Sequence, residues 1–277
     1  MNRQLAPIVF ITITASLATW FPSHLNAASA NEARVTRVKN HVQLEDSKNA
    51  ARRASVNDMV HEETVVRTGN VSVGELTFSD KTVVRLAART GFDFNRGVRG
   101  LNLKEGAMLV QAPKEANGAT IHAGSVAAAV AGTTAMIEYH VGVYKFLVLE
   151  GTARLYRPGH LGDSVLVRPG QMVFGNPEAA VSDPVDVDID RFMKTSRFIT
   201  NFPPLRSEKS IVAESQKQQR EKSNKTLVDT NLVIFGGGTQ VSLVGQGQTD
   251  TADHTTAALV APRRVPSMSP NAAPALP

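Results

Sequence analysis

The sequence predicts an all-β fold over residues 33–178: a sandwich, a roll or a short solenoid of strands. Three observations carry this. Apolar runs of strand length recur through the region with turn residues between them. No apolar pattern of helical period separates them. Glycines stand where the runs end, most clearly from Val126 to Gly151, where Val126–Val130, Met136–Tyr139 and Val143–Leu149 surround Gly132.

The chain has 277 residues and begins with Arg3, an uncharged and largely apolar run from Leu5 to Phe21, and then Ala28-Ser29-Ala30. This is the pattern of an export signal cleaved before Asn31, so residues 1–30 are read as a signal peptide. The apolar run is at the short limit for a membrane span, and Thr and Ser interrupt it. A retained anchor is the alternative.

Within the predicted β region, Arg34–Val38 and His41–Leu44 are short alternating runs. Val65-Val-Arg-Thr68 ends at Gly69. Leu76–Phe78 and Thr82–Leu86 flank Ser79-Asp80-Lys81, which reads as a hairpin because Asp bonds its own backbone two residues on. Leu101 and Leu103 alternate with Asn102 and Lys104, and Gly106 breaks that run. Met108–Val110, Thr120–Ile121, Val126–Val130, Met136–Tyr139, Val143–Leu149, Thr152–Tyr156 and Ser164–Val167 follow. Gly132, Gly151 and Gly170 are spaced nineteen residues apart. Chance and a regular coil of strands both account for that interval, and Gly106 does not fit it. Gly132 is expected where backbones approach closely or φ is positive.

Residues 183–225 change character to a short helix and a polar linker. Asp188 or Asp190 caps a helix through Ile199, and Asn201-Phe-Pro-Pro204 ends it. Ser207–Lys225 is rich in Lys, Glu, Gln and Ser, which fits a solvated helix or a disordered linker. Residues 226–244 read as a late hairpin around Gly236–Gly238. Residues 245–277, rich in Ala, Pro, Thr and Ser, read as a disordered tail.

The chain has no cysteine, so disulfides, thiolate metal sites and cysteine nucleophiles are excluded. The net charge of +5 is spread along the chain, unlike the clustered Lys and Arg of a nucleic-acid binder. Asp186, Asp188 and Asp190 alternate as in a calcium loop, but Arg191 and Arg197 stand where such a loop needs Gly and Glu. A helix-start cluster is the better account. The histidines show no metal-binding spacing. There is no Gly-x-Ser-x-Gly elbow; Gly69 to Gly74 is one residue too long. Glu62, Glu63 and Asp80 are read as solvent-facing turn residues rather than a catalytic pair. Gly236–Gly238 leads into a strand and so lacks the helix N-terminus of a phosphate loop.

Val65-Val-Arg-Thr68-Gly69, Gly74-Glu-Leu76-Thr-Phe78-Ser-Asp80-Lys-Thr82-Val-Val-Arg-Leu86, Leu103-x-x-Gly106, Gly132-Thr133, Val148-Leu-Glu-Gly151 and Pro169-Gly170-Gln171 occur in an order that resembles the FecR domain family. The resemblance covers about residues 56–175. The family often carries Asp-Gly where Asp80-Lys81 stands, and Thr-Pro where His122-Ala123 stands. It is named for the periplasmic part of an iron-dicitrate sensor that also has a cytoplasmic anti-sigma segment. For a chain opening on an export signal, the resemblance implies a stand-alone periplasmic or secreted FecR-like module.

The function expected is non-catalytic binding of another envelope or periplasmic protein, with no cofactor and no metal. Binding of cell-wall carbohydrate (peptidoglycan) is the alternative, disfavoured by one Trp and three Tyr, since sugar faces favour aromatic stacking. A hydrolase using a non-local acid pair among Asp80, Glu138 and Glu150 is the third reading. Protein recovered from its native envelope is expected to begin at Asn31 by intact mass; a mass that includes residues 1–30 would mean a retained anchor.

Overall fold

The computed structural model describes residues 32–46, 50–95 and 99–221, together with the backbone of 232–234 and 241–243. Residues 1–30, read above as an export signal, the glycine run at 236–238 and residues 245–277 lie outside the described residues. Strands run in chain order as β1 (Glu32–Lys39), β2 (Val42–Glu45), β3 (Arg52–Arg53), β4 (Met59–His61), β5 (Val65–Thr68), β6 (Val73–Phe78), β7 (Val83–Leu86), β8 (Gly91–Asn95) and β9 (Gly100–Ala112). They continue as β10 (Ala119–Ala123), β11 (Val126–Val130), β12 (Thr133–His140), β13 (Val143–Glu150), β14 (Ala153–Tyr156), β15 (Ser164–Val167), β16 (Gln171–Gly175) and β17 (Val185–Asp186).

These strands form two facing layers that are continuous through β9. One layer has the order β4-β1-β6-β7-β9-β12-β13-β16-β17, antiparallel throughout. The other has the order β3-β2-β5-β8-β9-β10-β11-β14-β15, with β9 and β10 parallel. Alternate side chains from both layers meet inside, among them Leu76, Phe78, Leu86, Phe92, Phe94, Ile137 and Phe146. Phe78 and Phe94 pack edge to face at 4.9 Å, a favoured aromatic geometry.

The chain passes from layer to layer along two creases on opposite edges. At the first crease β1 leads to β2 through Asn40, β5 to β6 through Val71, and β7 to β8 through Arg89; β9 bends at Gly106. At the second, β11 leads to β12 through Gly132, β13 to β14 through Gly151, and β15 to β16 through Gly170. Register places the creases at opposite ends, since Gly106 pairs with Tyr139 while Thr133 pairs with Ala112. All seven of these residues have positive φ. A strand cannot continue its ladder around so sharp a corner, and the left-handed conformation reverses it within one residue.

The nineteen-residue interval is therefore an out-and-back hairpin, once on each layer, between crossings of the second crease. Gly106 falls outside it because it belongs to the first crease. It bends a single strand rather than ending one. Between the creases, β9 crosses forward and the 113–118 loop crosses back, so β10 returns parallel to the start of β9. That is one turn of a coil inside an otherwise antiparallel roll.

Three helices form a third layer on the outside of the first sheet. They are α1 (Ile189–Thr195), α2 (Arg197–Thr200) and α3 (Glu208–Glu221). Asp188 caps α1, its Oδ1 accepting from the Arg191 amide at 3.1 Å. Ser196, with extended ψ of 130°, ends α1 and caps α2, so the expected single helix is two. Residues 208–221 are helical and not merely solvated: Ile211 is fully buried with Leu109, Met136, Leu147, Met172 and Phe192. Further on, β18 (Leu232–Ile234) and β19 (Val241–Leu243) pair antiparallel.

Glycine substitutions should separate corner crowding from φ strain. A Cβ on Gly151 meets the Gly132 carbonyl oxygen at 2.3 Å, whereas one on Gly159, also at positive φ, meets nothing within 4 Å. Gly151→Ala is expected to cost about 2–4 kcal/mol and Gly159→Ala about 1 kcal/mol in urea denaturation. Lys81 occupies the left-handed position of the β6–β7 hairpin at φ 70°, so Lys81→Gly should stabilise by up to about 1 kcal/mol. Equal losses at Gly151 and Gly159 would contradict the crease geometry.

Candidate functional site

The residues singled out by the family pattern take three places in the fold. Thr68, Gly69, Gly106, Gly132, Thr133, Gly151 and Gly170 lie along the creases. Leu76, Phe78, Leu86 and Leu103 fill the core between the layers. Asp80 and Gln171 hold turns: Asp80 Oδ1 accepts from the Thr82 amide at 2.9 Å, and Gln171 Oε1 accepts from the Arg168 amide at 3.0 Å. The structure does not bring these residues together in one pocket.

The threonines close hydrogen bonds that the corners leave open. Thr68 Oγ1 accepts from the Thr90 amide at 2.8 Å and donates to the Ala87 carbonyl at 2.5 Å. Thr90 Oγ1 accepts from the Ala107 amide at 3.1 Å. Thr133 Oγ1 donates to the Thr152 carbonyl at 2.8 Å. All three side chains are buried, so an unmade bond would leave a desolvated polar group.

The acids of the hydrolase reading are engaged elsewhere and stand apart. Asp80 pairs with Arg99, tying the β6–β7 hairpin to the start of β9 across the mouth between the layers. Neither Glu62 nor Glu63 lines the small cavity beside Asp80. Glu138 lies opposite Lys145, whose Nζ is 2.6 Å away, with His140 at 3.3 Å. Burial pushes the Glu138 carboxyl up, but His140 and Lys145 outweigh it and hold the group below the usual glutamate range. Burial pushes the Glu150 carboxyl above that range, opposed by the Thr134 hydrogen bond. Burial and then Asp163 push the Tyr144 hydroxyl up to about 12, so it keeps its proton at neutral pH. Among the described residues no three metal-ligating side chains converge. Asp188 caps α1, and Asp190 pairs with Lys194 at 2.7 Å.

Arg85 joins sheet to helices. It is 2 % exposed; its Nε donates to Glu75 at 2.8 Å and its Nη1 to the Phe198 carbonyl at 2.7 Å. Nη2 donates to the Pro203 carbonyl at 2.5 Å, and the guanidinium lies 4.7 Å from the Phe202 ring centre. Burial lowers its pKa from the ordinary arginine value, and Glu75 opposes that shift. Sequence reading placed Arg85 in a strand motif but had no signal for its two carbonyl partners, which lie 113 and 118 residues away.

Where α2 meets the first crease a cavity of about 280 Å³ opens, lined by Lys39, Val71, Ala87, Ala88, Arg197 and Phe202 among others. A shallower groove of about 460 Å³ crosses the outer face of the second layer, between Thr120, Ala129, Arg154 and Leu166. None of these residues was singled out from the sequence, because each is isolated there and they meet only through the folding of the creases.

Residues 64–154 match the family described as FecR protein, so the chain carries a FecR segment running from β5 to the start of β14. No curated protein matches. Two crystal structures of a candidate anti-sigma factor from Parabacteroides distasonis are similar at 13 % identity, with TM-scores of 0.39 and 0.38. They cover 60 % and 58 % of this chain, and 96 % and 92 % of their own. No helix among the described residues is long and apolar enough to cross a membrane.

Arg85→Met is expected to destabilise by about 3–5 kcal/mol in urea, because Glu75, only 12 % exposed, loses its counter-charge. Adding Glu75→Leu should recover much of the loss. If the single variant unfolds at the wild-type urea concentration, Arg85 does not anchor the helices.

Proposed function

We propose, from the FecR segment at its centre, that this chain is an exported, non-catalytic interaction module that engages another protein of the bacterial envelope. The observation that carries the reading is the match over residues 64–154, which runs through both layers and both creases. The chemistry of the site supports it. Asp80, Glu138 and Glu150 each bond to neighbouring side chains rather than to one another, so these three do not form the acid pair of the hydrolase reading. Export is supported by Arg3, the apolar run to Phe21 and the small residues Ala28-Ser29-Ala30.

The wall-carbohydrate alternative finds little support in the outer faces. The groove on the second layer is lined by small, branched and cationic side chains and no aromatic ring, whereas sugar rings stack on aromatics. Immobilised full-length protein is expected to retain one envelope protein in at least one growth state. It should also stay in the supernatant when purified cell wall is pelleted. Co-pelleting with wall and no protein retained would reverse the assignment.

A further inference from the structure

The cavity at the first crease combines three features. Its walls include apolar groups, Ala87 and Ala88 from the β7–β8 corner and Phe198 and Phe202 from α2 and the segment after it, beside the polar Ser72 and Asn201. Its rim carries two exposed cations, Lys39 and Arg197, and neither has a carboxylate partner among the described residues. Arg37 lies nearby, 5.9 Å from the Phe202 ring centre. The third feature is Val71, which is 70 % exposed and held at φ 54°.

A β-branched residue in the left-handed region is a strained choice for a corner. Asn40 and four glycines fill equivalent corners without that strain. Strain of this kind persists only where the surroundings over-determine it. Here Asn40 Nδ2 donates to the Val71 carbonyl at 2.7 Å, Ser72 Oγ accepts from the His41 amide at 3.0 Å, and Arg89 Nε donates to Asn70 Oδ1 at 2.6 Å. The turn is thus fixed on both sides, and it presents an isopropyl group to solvent at the edge of a partly apolar cavity that carries Lys39 and Arg197.

We infer that this cavity docks a partner's peptide C-terminus that ends in a large apolar residue. A terminal residue carries its carboxylate beside its side chain, so a single residue meets both the cationic rim and the apolar walls. An internal acidic residue would need a separate neighbour for the walls. About 280 Å³ lies near the small end of ligand cavities and suits one such residue rather than a longer segment. The proposal rests on the interaction reading for its source of ligand, a partner protein.

The probe is acetyl-Gly-Gly-Leu-Phe with a free carboxylate, titrated into the isotope-labelled full chain and followed by NMR. Its C-terminal amide and 3-phenylpropionate are run beside it. The free-acid peptide is expected to move the resonances of Val71, Ala87, Ala88 and Asn201. Amidation should weaken binding by about tenfold or more, as should Lys39→Glu and Arg197→Glu. Val71→Gly should weaken binding while unfolding at the same or a higher temperature, because it removes strain together with the contact. Equal binding of acid and amide, or shifts confined to other residues, would overturn the proposal. Phenylpropionate binding as tightly as the peptide would overturn it in favour of a small-acid site. If the peptide does not bind at millimolar concentration while envelope capture still returns a partner, this site is wrong and the interaction function stands. If both fail, both are wrong.

Discussion

A β chain that covers both faces of its own core must turn over repeatedly, and each turn interrupts the ladder that satisfies its backbone. The rest of this structure depends on how that is met. Seven crossings share one conformation, a residue at positive φ. Buried threonine hydroxyls then take up backbone groups that the corners strand, as Thr68 does for the Thr90 amide and Thr133 for the Thr152 carbonyl. A stranded buried amide costs about 1–3 kcal/mol, so several together would rival the stability of a whole domain. Gly132-Thr133 is the sequence form of this solution, a hydroxyl beside the residue that turns; at the first crease Thr68 acts three residues before the turn at Val71.

The creases also determine where the helices sit. Gln218 of α3 donates through Nε2 to the Val187 carbonyl at 2.6 Å and accepts through Oε1 from the Ile189 amide at 3.2 Å. A Cβ on Gly170 would come within 2.4 Å of that same side chain. The third layer is thereby keyed to a corner of the second crease at one end. At the other, Arg85 binds the Phe198 and Pro203 carbonyls and faces the Phe202 ring. The cavity beside Val71 exists because this second attachment holds α2 against the first crease. Fold and candidate site therefore share one cause.

Much of the strand content was legible, because alternation and glycine endings are local signals. β1, β2, β5, β7 and β11 to β15 lie close to where the pattern put them. β8 was missed although Phe92 and Phe94 alternate with Asp93, since it opens on a glycine. The 208–221 helix looked solvated because its buried face is carried by Ile211, Ser215 and Gln218, two of them polar. The glycine interval was visible, but its meaning was not: nineteen residues is a hairpin length, and only pairing reveals that. The cavity was illegible for the same reason. Lys39, Val71 and Arg197 are far apart in sequence and meet through two layers and a helix. Lys81 reconciles one departure from the family pattern, taking at φ 70° the position where glycine is usual.

If the creases hold the body together, their hydroxyl-bonded amides should open only when everything opens. Native-state hydrogen exchange measures this directly at Thr90 and Ala107, bonded to Thr68 and Thr90, with the Gly170 amide, bonded to the Val148 carbonyl, as the second-crease site. The account predicts exchange free energies at these three sites equal to that of the central β12–β13 pair and to global unfolding. Exchange at the creases through low-energy local opening, while β12 and β13 stay protected, would contradict it.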